Sequence, residues 1–205
     1  MLTLYFYHDP MCSWCWAYRP RSDELFASLP DHIHRVNILG GLAPDTDDPM
    51  PQTEQTAIAG FWRKIHGMLG TEFNFDFWDR CEPRRSTYPA CRAVIAAGRQ
   101  DREEDMVDAI QRAYYLRALN PSDLSTLQML AGELGLDTER FTTDIQSPAL
   151  DAELLKQVRF AAQSPISGFP SLVLEVDGQL HRVRLDYRHA GATLQHIDEL
   201  AGATG

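Results

Sequence analysis

The pattern of apolar and polar positions near the start of the chain predicts two β-strands. Residues 2–7 are apolar or aromatic at almost every position, a pattern typical of a strand that is covered on both faces. Residues 33–39 predict a second strand, which is followed by Gly40. The intervening residues 12–28 predict a helix, in which Pro20 removes one backbone hydrogen bond and introduces a kink. The order strand, helix, strand predicts a βαβ unit with a right-handed crossover.

Helical spacing of apolar residues dominates the middle of the chain. It predicts helices around residues 106–114, over residues 124–134 and over residues 151–163. Asn120 or Ser122 is expected to cap the second of these helices at its N-terminus, because their side-chain oxygens can accept backbone N–H groups. The sequence contains no recognisable repeat, linker or low-complexity segment, so we interpret this helical block as an insertion and not as an independent domain.

A strand pattern returns near the C-terminal end. Residues 171–176 and 179–185 predict two strands joined by Asp177-Gly178, a pair of residues typical of hairpin turns. A final helix is predicted over residues 190–200. The predicted fold class is therefore α/β, with an all-helical segment inserted between an N-terminal βαβ half and a C-terminal ββα half.

Composition and charge restrict the classes of function. The chain has 205 residues, of which 44% are hydrophobic, as expected for one globular domain with an elaboration. A formal net charge of −10 argues against nucleic-acid binding, because phosphate contacts need clustered lysine and arginine. No segment approaches the roughly 18 consecutive apolar residues of a membrane-spanning helix, and no basic and apolar leader is recognisable. We therefore expect a cytoplasmic protein with no membrane partner, present as a monomer or a homodimer.

Cys12 and Cys15 form a CxxC pair at the predicted start of the first helix. Unpaired backbone N–H groups and the positive end of the helix dipole favour a thiolate at the first sulfur. A thiolate is the nucleophile in disulfide exchange, and a second sulfur one helical turn later can attack the resulting mixed disulfide. Because structural disulfides are rare in the cytoplasm, we interpret the pair as a redox-active dithiol.

A structural zinc site is the alternative interpretation of this pair. Such sites combine two CxxC-like pairs, or one pair with two histidines. Cys81 and Cys91 lie ten positions apart in another segment, so no metal site is expected. Cys91 is predicted to be a small buried core residue. A disulfide between Cys81 and Cys91 is the less favoured arrangement in a reducing compartment.

Gly168-Phe169-Pro170-Ser171 directly precedes the third predicted strand. Proline is tolerated at the first residue of a strand, and the residues alone leave open whether the Phe169–Pro170 bond is cis or trans. A cis bond presents the Phe169 backbone to an extended substrate, which can pair with it as an additional strand.

Two further features have a functional and a structural interpretation. His8 lies four positions before Cys12, near enough to modulate a thiolate, whereas a solvated histidine at a strand end is the simpler alternative. Six aromatic residues occur between Phe61 and Trp78. They either line a substrate groove or pack the core of the insertion, and packing is favoured because aromatic side chains carry much of the buried area of a core.

Four segments of the chain carry a resemblance to a known family: Asp9-Pro10-Met11-Cys12-Ser13-Trp14-Cys15-Trp16, Arg85-Ser86-Thr87-Tyr88-Pro89-Ala90-Cys91-Arg92-Ala93, Leu134-Gly135-Leu136-Asp137 and Ser167-Gly168-Phe169-Pro170-Ser171. They resemble the cytoplasmic branch of the DsbA-like family, thioredoxin-like proteins with a helical domain inserted between the two halves of the fold. On this resemblance, residues 1–44 and 164–205 form the thioredoxin-like domain, and residues 45–163 form the helical insertion.

The resemblance implies a thiol-disulfide oxidoreductase that acts on a disulfide-containing protein or small molecule. Cys12 is then the attacking thiol, Cys15 the resolving thiol and Pro170 a cis-proline facing them, while Phe169, Pro170 and Trp14 are expected to contact the substrate. No bound cofactor is expected besides the dithiol itself, with glutathione as the candidate electron donor or co-substrate. A reducing cytosol favours reductase or isomerase activity over oxidation.

Two other functions are compatible with the sequence. Glutathione-dependent isomerases or transferases share this scaffold, but such relatives use a single serine or cysteine at the first position and need no resolving thiol. The presence of Cys15 argues against that class. A non-enzymatic zinc-binding or ligand-binding module is the third interpretation, because a fold does not fix a function.

Overall fold

A mixed sheet forms the centre of the molecule. The computed structural model describes residues 2–202, so residue 1 and residues 203–205 of the predicted thioredoxin-like domain lie outside the described part. The strands are β1 (Leu2–His8), β2 (Ile33–Leu39), β3 (Ser171–Val176) and β4 (Gln179–Val183). Their order is β2-β1-β3-β4, in which β1 pairs parallel with β2 and antiparallel with β3, and β4 pairs antiparallel with β3. Strand β1 therefore lies between strands from the two halves of the chain.

Helices surround this sheet. Helix α1 (Ser13–Ala27) connects β1 to β2, and α9 (Ala190–Gly202) follows β4. Between β2 and β3 lie α2 (Gln52–Leu69), α3 (Phe77–Arg80), α4 (Tyr88–Gly98), α5 (Glu103–Tyr115), α6 (Leu124–Glu133), α7 (Thr138–Ile145) and α8 (Pro148–Gln163). None of the helices within residues 2–202 is long and apolar enough to cross a bilayer. The predicted thioredoxin-like fold with a helical insertion is confirmed, and the domain boundaries at residues 44 and 164 stay a prediction.

The continuous apolar character of β1 follows from burial on both faces. Leu4 and Phe6 belong to a core that α1 and α9 complete, whereas Tyr7 packs on the opposite face with Ala161 of α8. Alternate residues of a strand point to opposite faces, so a strand covered on both sides is apolar at successive positions. This burial fixes the C-terminal end of β1, from which the CxxC segment continues.

A second core fills the helical segment. Helix α4 lies at its centre, and Cys91 in that helix is fully buried, as predicted. Leu39 at the end of β2 belongs to the same cluster, together with Leu150 and Leu154 of α8. The helical segment is thus packed directly against the end of the sheet where the CxxC segment begins.

Two predicted details are wrong. Neither Asn120 nor Ser122 caps α6; the N-cap residue is Asp123, which makes no side-chain capping bond. The Asn120 amide oxygen instead accepts the Ser122 N–H (3.1 Å) within the loop before α6, and the Ser122 hydroxyl donates to the Ser86 carbonyl (2.6 Å) in the loop before α4, so neither side chain caps the helix. Strand β4 ends at Val183 and not at residue 185, beyond which the chain turns towards α9.

The aromatic segment that the sequence left unassigned runs through α2, a connecting loop and α3. Trp62 in α2 is fully buried and packs with Phe77 of α3 and with Tyr114 and Tyr115 of α5. The prediction that these aromatic residues form a core is therefore confirmed for Trp62 and Phe77. Phe61 is the exception, since half of its surface (50%) is exposed.

Candidate active site

The two cysteines of the CxxC pair lie where β1 ends and α1 begins. Cys12 is the N-cap residue of α1, with an extended backbone (φ −82°, ψ 118°), and Cys15 lies in the first turn. The Cys12 N–H donates to the Asp9 carbonyl (3.0 Å), and the Cys12 carbonyl accepts the Trp16 N–H (3.0 Å). Both cysteines are free thiols, with 7% of Cys12 and 3% of Cys15 exposed. Cys12 thus lies at the N-terminal end of α1, which is the positive end of the helix dipole.

The loop before β3 lies directly against Cys12. The Phe169–Pro170 peptide bond is cis, the isomer that the family resemblance implies. The Cys12 Sγ donates to the Phe169 carbonyl oxygen at 3.4 Å. The Phe169 ring lies over Gly40, where a Cβ would approach it to 1.9 Å. Residue 40 therefore has to be glycine for this ring position, in which the Phe169 side chain packs inward while its backbone contacts the thiol.

Trp14, between the two cysteines, is half-buried against the C-terminal part of the chain. Its ring contacts Tyr187 edge-on, with the ring centroids 5.5 Å apart, and Tyr187 packs in the same way against Tyr18 at 5.1 Å. Burial, followed by the charges of Cys15 and Cys12, raises the pKa of the Tyr187 hydroxyl. Tyr187 therefore lies close to the dithiol, a neighbour that the sequence analysis did not identify.

Cys15 has an environment that keeps its thiol protonated. Burial raises the pKa of Cys15 well above its usual value, and the hydrogen bond and charge of Cys12 raise it further. The backbone N–H of Asp9 donates to the Cys15 sulfur and partly opposes this effect. A buried thiol of this kind has to lose its proton before it can act as a nucleophile.

His8 is buried and not solvated, so the simpler of its two interpretations is wrong. Only 3% of the residue is exposed, and its ring stacks on Phe6 with the centroids 5.0 Å apart. His8 and Cys15 line the same cavity of about 50 Å³, which Arg19 and Arg35 also border. Burial, followed by repulsion from Arg35 and Arg19, lowers the pKa of His8 to about 3. The imidazole is therefore neutral at physiological pH and provides no positive charge for a thiolate.

The buried neutral His8 makes the stability of the protein depend on pH in a defined direction. His8 binds a proton below about pH 6.5 in the unfolded chain but only below about pH 3 in the folded chain. The contribution of neutral His8 to the free energy of unfolding is therefore fully present above pH 6.5 and is lost as the pH falls towards 3. Between pH 7 and pH 4.5, we expect the free energy of unfolding to fall about 2–3 kcal/mol more in the wild type than in His8→Gln. Urea unfolding at both pH values measures this difference. Parallel pH profiles of the two proteins would contradict it.

The helical segment holds the CxxC segment from the side. The Tyr115 hydroxyl of α5 donates to the Met11 carbonyl (2.7 Å), and the Trp16 ring stacks on Tyr115 with the centroids 5.7 Å apart. The Trp16 indole N–H donates to the Glu72 carbonyl (3.0 Å). These contacts connect the residues on both sides of Cys12 to α5 and to the loop after α2. In the sequence, Tyr115 cannot be distinguished from an ordinary core residue.

Asp9 is a third residue, after Tyr187 and Tyr115, that the sequence analysis did not single out. Its carboxylate is fully buried between the CxxC segment and the helical segment, where it accepts a hydrogen bond from Thr87 in the turn before α4 (2.7 Å). The sequence feature that could have identified Asp9 is its position three residues before Cys12, because a carboxylate close to a thiol changes the electrostatic environment of that thiol.

The other cysteines are not paired and do not build a metal site. Cys81 donates to the Ala118 carbonyl (3.2 Å), and Cys91 donates to the Asp9 carboxylate (3.6 Å), so the Cys81–Cys91 disulfide is absent. Within residues 2–202, no group of three or more histidine, cysteine, aspartate or glutamate side chains is arranged to hold a metal ion.

Comparison with known proteins gives matches over most of the chain. A family model described as a DSBA-like thioredoxin domain matches residues 3–193. A candidate protein disulfide isomerase from Nitrosomonas europaea is 30% identical, with a TM-score of 0.85 over 100% of this chain and 99% of that one. The cytosolic disulfide reductase DsbM from Pseudomonas aeruginosa is 26% identical, with a TM-score of 0.74 over 98% and 96% of the two chains. A structure of DsbM with GSH is similar as well, with a TM-score of 0.73.

A third relative has a different described role. The ClpXP adapter protein SpxH from Bacillus subtilis is 26% identical over 175 residues, which correspond to 83% of this chain and 57% of the relative. The chain therefore spans less than two thirds of the length of that adapter, and the similarity supports a shared fold over the matched part.

Proposed function

Since the chain belongs to the family of DSBA-like thioredoxin domains, we propose that it is a thiol-disulfide oxidoreductase, specifically a cytoplasmic disulfide reductase that works through Cys12 and Cys15. The observation that carries this proposal is the 3.4 Å contact between the Cys12 Sγ and the Phe169 carbonyl oxygen, next to the cis Phe169–Pro170 bond. A sulfur at a helix N-terminus beside an open backbone segment is the arrangement that attack on an extended disulfide substrate needs.

The proposed reaction consists of two exchange steps at sulfur. The Cys12 thiolate attacks one sulfur of the substrate disulfide; the S–S bond breaks, and the other substrate sulfur leaves as a thiolate that takes up a proton. Cys15 then loses its proton and attacks the Cys12 Sγ, which breaks the mixed disulfide and releases the second substrate thiol. The substrate has gained two electrons and two protons, and the protein is left with a Cys12–Cys15 disulfide.

Substrate binding is assigned to the residues around the thiol. In this proposal, the backbone of Phe169 and Pro170 pairs with the extended segment that carries the disulfide, and the half-buried Trp14 ring contacts its flank. The inward packing of the Phe169 ring over Gly40 supports this assignment, because it leaves the backbone of residue 169 to face Cys12.

His8 is proposed to modulate the resolving thiol and not the attacking one. It shares a cavity with Cys15 and is neutral at physiological pH, so it acts as an uncharged polar neighbour of the sulfur that has to lose a proton. A positively charged imidazole beside Cys12 has no support in this arrangement.

Glutathione is the proposed reductant that regenerates the dithiol. Two glutathione molecules reduce the Cys12–Cys15 disulfide and leave as glutathione disulfide, so that electrons pass from glutathione through the protein to the substrate. The similarity to DsbM, a cytosolic disulfide reductase whose structure is also known with GSH, supports both the reductant and the compartment. A disulfide-containing protein or small molecule is the partner, and the working unit is a monomer or a homodimer.

A titration in glutathione redox buffers tests the proposal. The wild type is expected to show a two-electron transition in the fluorescence of Trp14 and Trp16, and Cys12→Ser is expected to lose it. A midpoint near about −270 mV supports a reductase, whereas one near about −120 mV contradicts it in favour of an oxidase. The absence of any transition in the wild type overturns the dithiol mechanism itself.

A further inference from the structure

The end of β2 and the loop before β3 meet at one very close approach beside the dithiol. A Cβ at Gly40 would lie 1.9 Å from the Cζ atom of the Phe169 ring and 2.3 and 2.5 Å from its two Cε atoms, whereas Cβ atoms essentially never come closer than 3.0 Å to another heavy atom. The φ angle of Gly40 lies outside the left-handed region, so the requirement for glycine comes from space and not from the backbone. A side chain at position 40 therefore has to displace either the Gly40 backbone or the Phe169 ring.

The backbone around Gly40 is held in place on both sides. The Gly40 N–H donates to the His8 carbonyl at the end of β1 (2.7 Å). Just before it, the Leu39 N–H donates to the side-chain oxygen of Gln157 in α8 (2.8 Å). Just after it, Gly41 has a φ of 59° and packs so closely against side chains of α4 and α8 that a Cβ there would lie 2.7 Å from each of them. A larger residue at position 40 is therefore expected to move the ring and not the end of the strand.

The Phe169 ring and the Phe169 carbonyl belong to a loop that is fixed on its C-terminal side. The Ser171 hydroxyl at the start of β3 donates to the Gly168 carbonyl (2.7 Å), which holds the two residues next to Phe169 and Pro170 together. The ring packs against the buried cluster between α8 and the sheet. The carbonyl accepts the hydrogen bond from the Cys12 Sγ (3.4 Å). A displaced ring cannot swing away independently of the backbone, so its movement shifts the carbonyl relative to Cys12.

We propose that Gly40 and the Phe169 ring form a size-matched pair that holds the substrate-pairing backbone of residue 169 against Cys12. Gly40 is a positioning residue in this arrangement, because it acts through Phe169. The inference rests on the proposed dithiol function and adds to it the residue that determines where an extended disulfide segment is held. Only a substrate with a peptide backbone can pair with the backbone of residue 169. The pair is therefore expected to favour disulfides carried by extended peptide segments over small disulfides without a peptide backbone.

The test compares two substrates, a pair of unstructured peptides joined by one disulfide and hydroxyethyl disulfide. Each reaction converts the Cys12–Cys15 dithiol into a disulfide and the substrate into two thiols. Second-order rate constants at pH 7 are measured by rapid mixing, acid quenching, thiol alkylation and mass spectrometry. With the peptide disulfide, Gly40→Ala is expected to lower the constant at least about tenfold, because a misplacement of about 1 Å is enough to cost that much. With hydroxyethyl disulfide, which needs Cys12 but no backbone partner, we expect a change of no more than about twofold.

A second substitution at position 169 is expected to remove the effect of Gly40→Ala. Leucine lacks the ring atoms that a Cβ at position 40 would meet. In a Phe169→Leu background, Gly40→Ala is therefore expected to lower the constant for the peptide disulfide by no more than about twofold, since residues in direct contact show such non-additive effects. Phe169→Leu by itself is expected to slow the reaction with the peptide disulfide and not that with hydroxyethyl disulfide, because the shorter side chain holds the loop less firmly.

Gly60→Ala in α2 is the matched control for a glycine-to-alanine change. A Cβ at Gly60 has no other atom within 4 Å, so we expect both constants to stay within about twofold of the wild type. Wild-type rates in Gly40→Ala overturn the inference, and so does equal slowing with the two substrates or an equal loss in the two backgrounds.

Thermal unfolding shows whether each variant is folded. If Gly40→Ala alone does not unfold cooperatively, the double variant decides. A folded double variant that reacts like Phe169→Leu supports the pair, and an unfolded one overturns it. A wild type that reacts with neither disulfide contradicts the proposed function itself, whereas a reactive wild type with an unaffected Gly40→Ala contradicts only the role of Gly40.

Discussion

Replacing Cys15 by serine is expected to lower the rate of disulfide reduction at least about a thousandfold at millimolar glutathione. Cys12 can still attack, but the mixed disulfide is then resolved only by reaction with a thiol from solution. A thiol held one helical turn away reaches effective concentrations far above those of glutathione, with well-oriented groups reaching on the order of 10⁵ M. The first chemical step is retained while turnover is lost, so the mixed disulfide accumulates and is detected by mass spectrometry as a covalent adduct on Cys12.

Cys81→Ser is the matched control for the loss of one thiol. Its sulfur donates to the Ala118 carbonyl, away from the dithiol, and we expect its turnover to equal that of the wild type. A Cys15→Ser protein that retains full turnover would contradict the dithiol mechanism and favour the single-thiol, glutathione-dependent alternative. Residual turnover that rises linearly with glutathione is the expected behaviour, because an external thiol then performs the resolving step.

Truncation of Trp62 to alanine is expected to reduce the free energy of unfolding by about 3–5 kcal/mol. The Trp62 side chain is fully buried. Its ring centroid lies 4.9–5.9 Å from those of Phe73, Phe75, Phe77, Trp78, Tyr114 and Tyr115. Removing the indole leaves a cavity that several rings cannot fill without shifting, and unfilled volume adds to the lost burial. Urea unfolding followed by far-UV circular dichroism measures the change.

Phe61→Ala provides the comparison within the same helix. Phe61 immediately precedes Trp62 and is 50% exposed, so we expect its truncation to change stability by no more than about 0.5 kcal/mol. Equal losses in the two variants would mean that the aromatic cluster is not the source of the stability. Because Tyr115 joins this cluster to the Met11 carbonyl, Trp62→Ala is also expected to weaken the support of the CxxC segment.

Sequence patterns predicted the helices and strands whose buried positions follow directly from the spacing of their own apolar residues. The strands β2 and β3 have the predicted bounds. Strand β3 is mostly apolar because its residues are buried on both faces of the sheet, and each strand ends at a glycine or turn pair that follows it. The start of α1 at the CxxC pair was predicted for a similar reason, since the break after β1 is followed by helical spacing. In the aromatic segment, helix α2 is followed by a loop in which Phe73 and Phe75 alternate with polar residues. Neither the helical period nor the strand period therefore describes the whole segment.

The electrostatic neighbours of the dithiol could not be predicted in this way. In the sequence, Asp9 has the features of an ordinary turn residue. Its side-chain partners Thr87 and Cys91 lie 78 and 82 positions further along the chain. His8 reads as a polar strand end, whereas the fold encloses it among α1, β2 and α5 residues. Burial of a polar side chain depends on elements distant in sequence, and local periodicity contains no information about them.

The position of β1 in the sheet has a consequence for biosynthesis. Cys12 and the Phe169 carbonyl that it contacts are 157 positions apart. A ribosome adding roughly 5–20 residues per second needs on the order of ten seconds or more to cover that distance. During this interval the CxxC segment has left the ribosome, or is leaving it, without the strand and the loop that complete its surroundings. A nascent chain therefore carries the two cysteines as ordinary thiols, and the arrangement that distinguishes Cys12 arises only after translation of the C-terminal half.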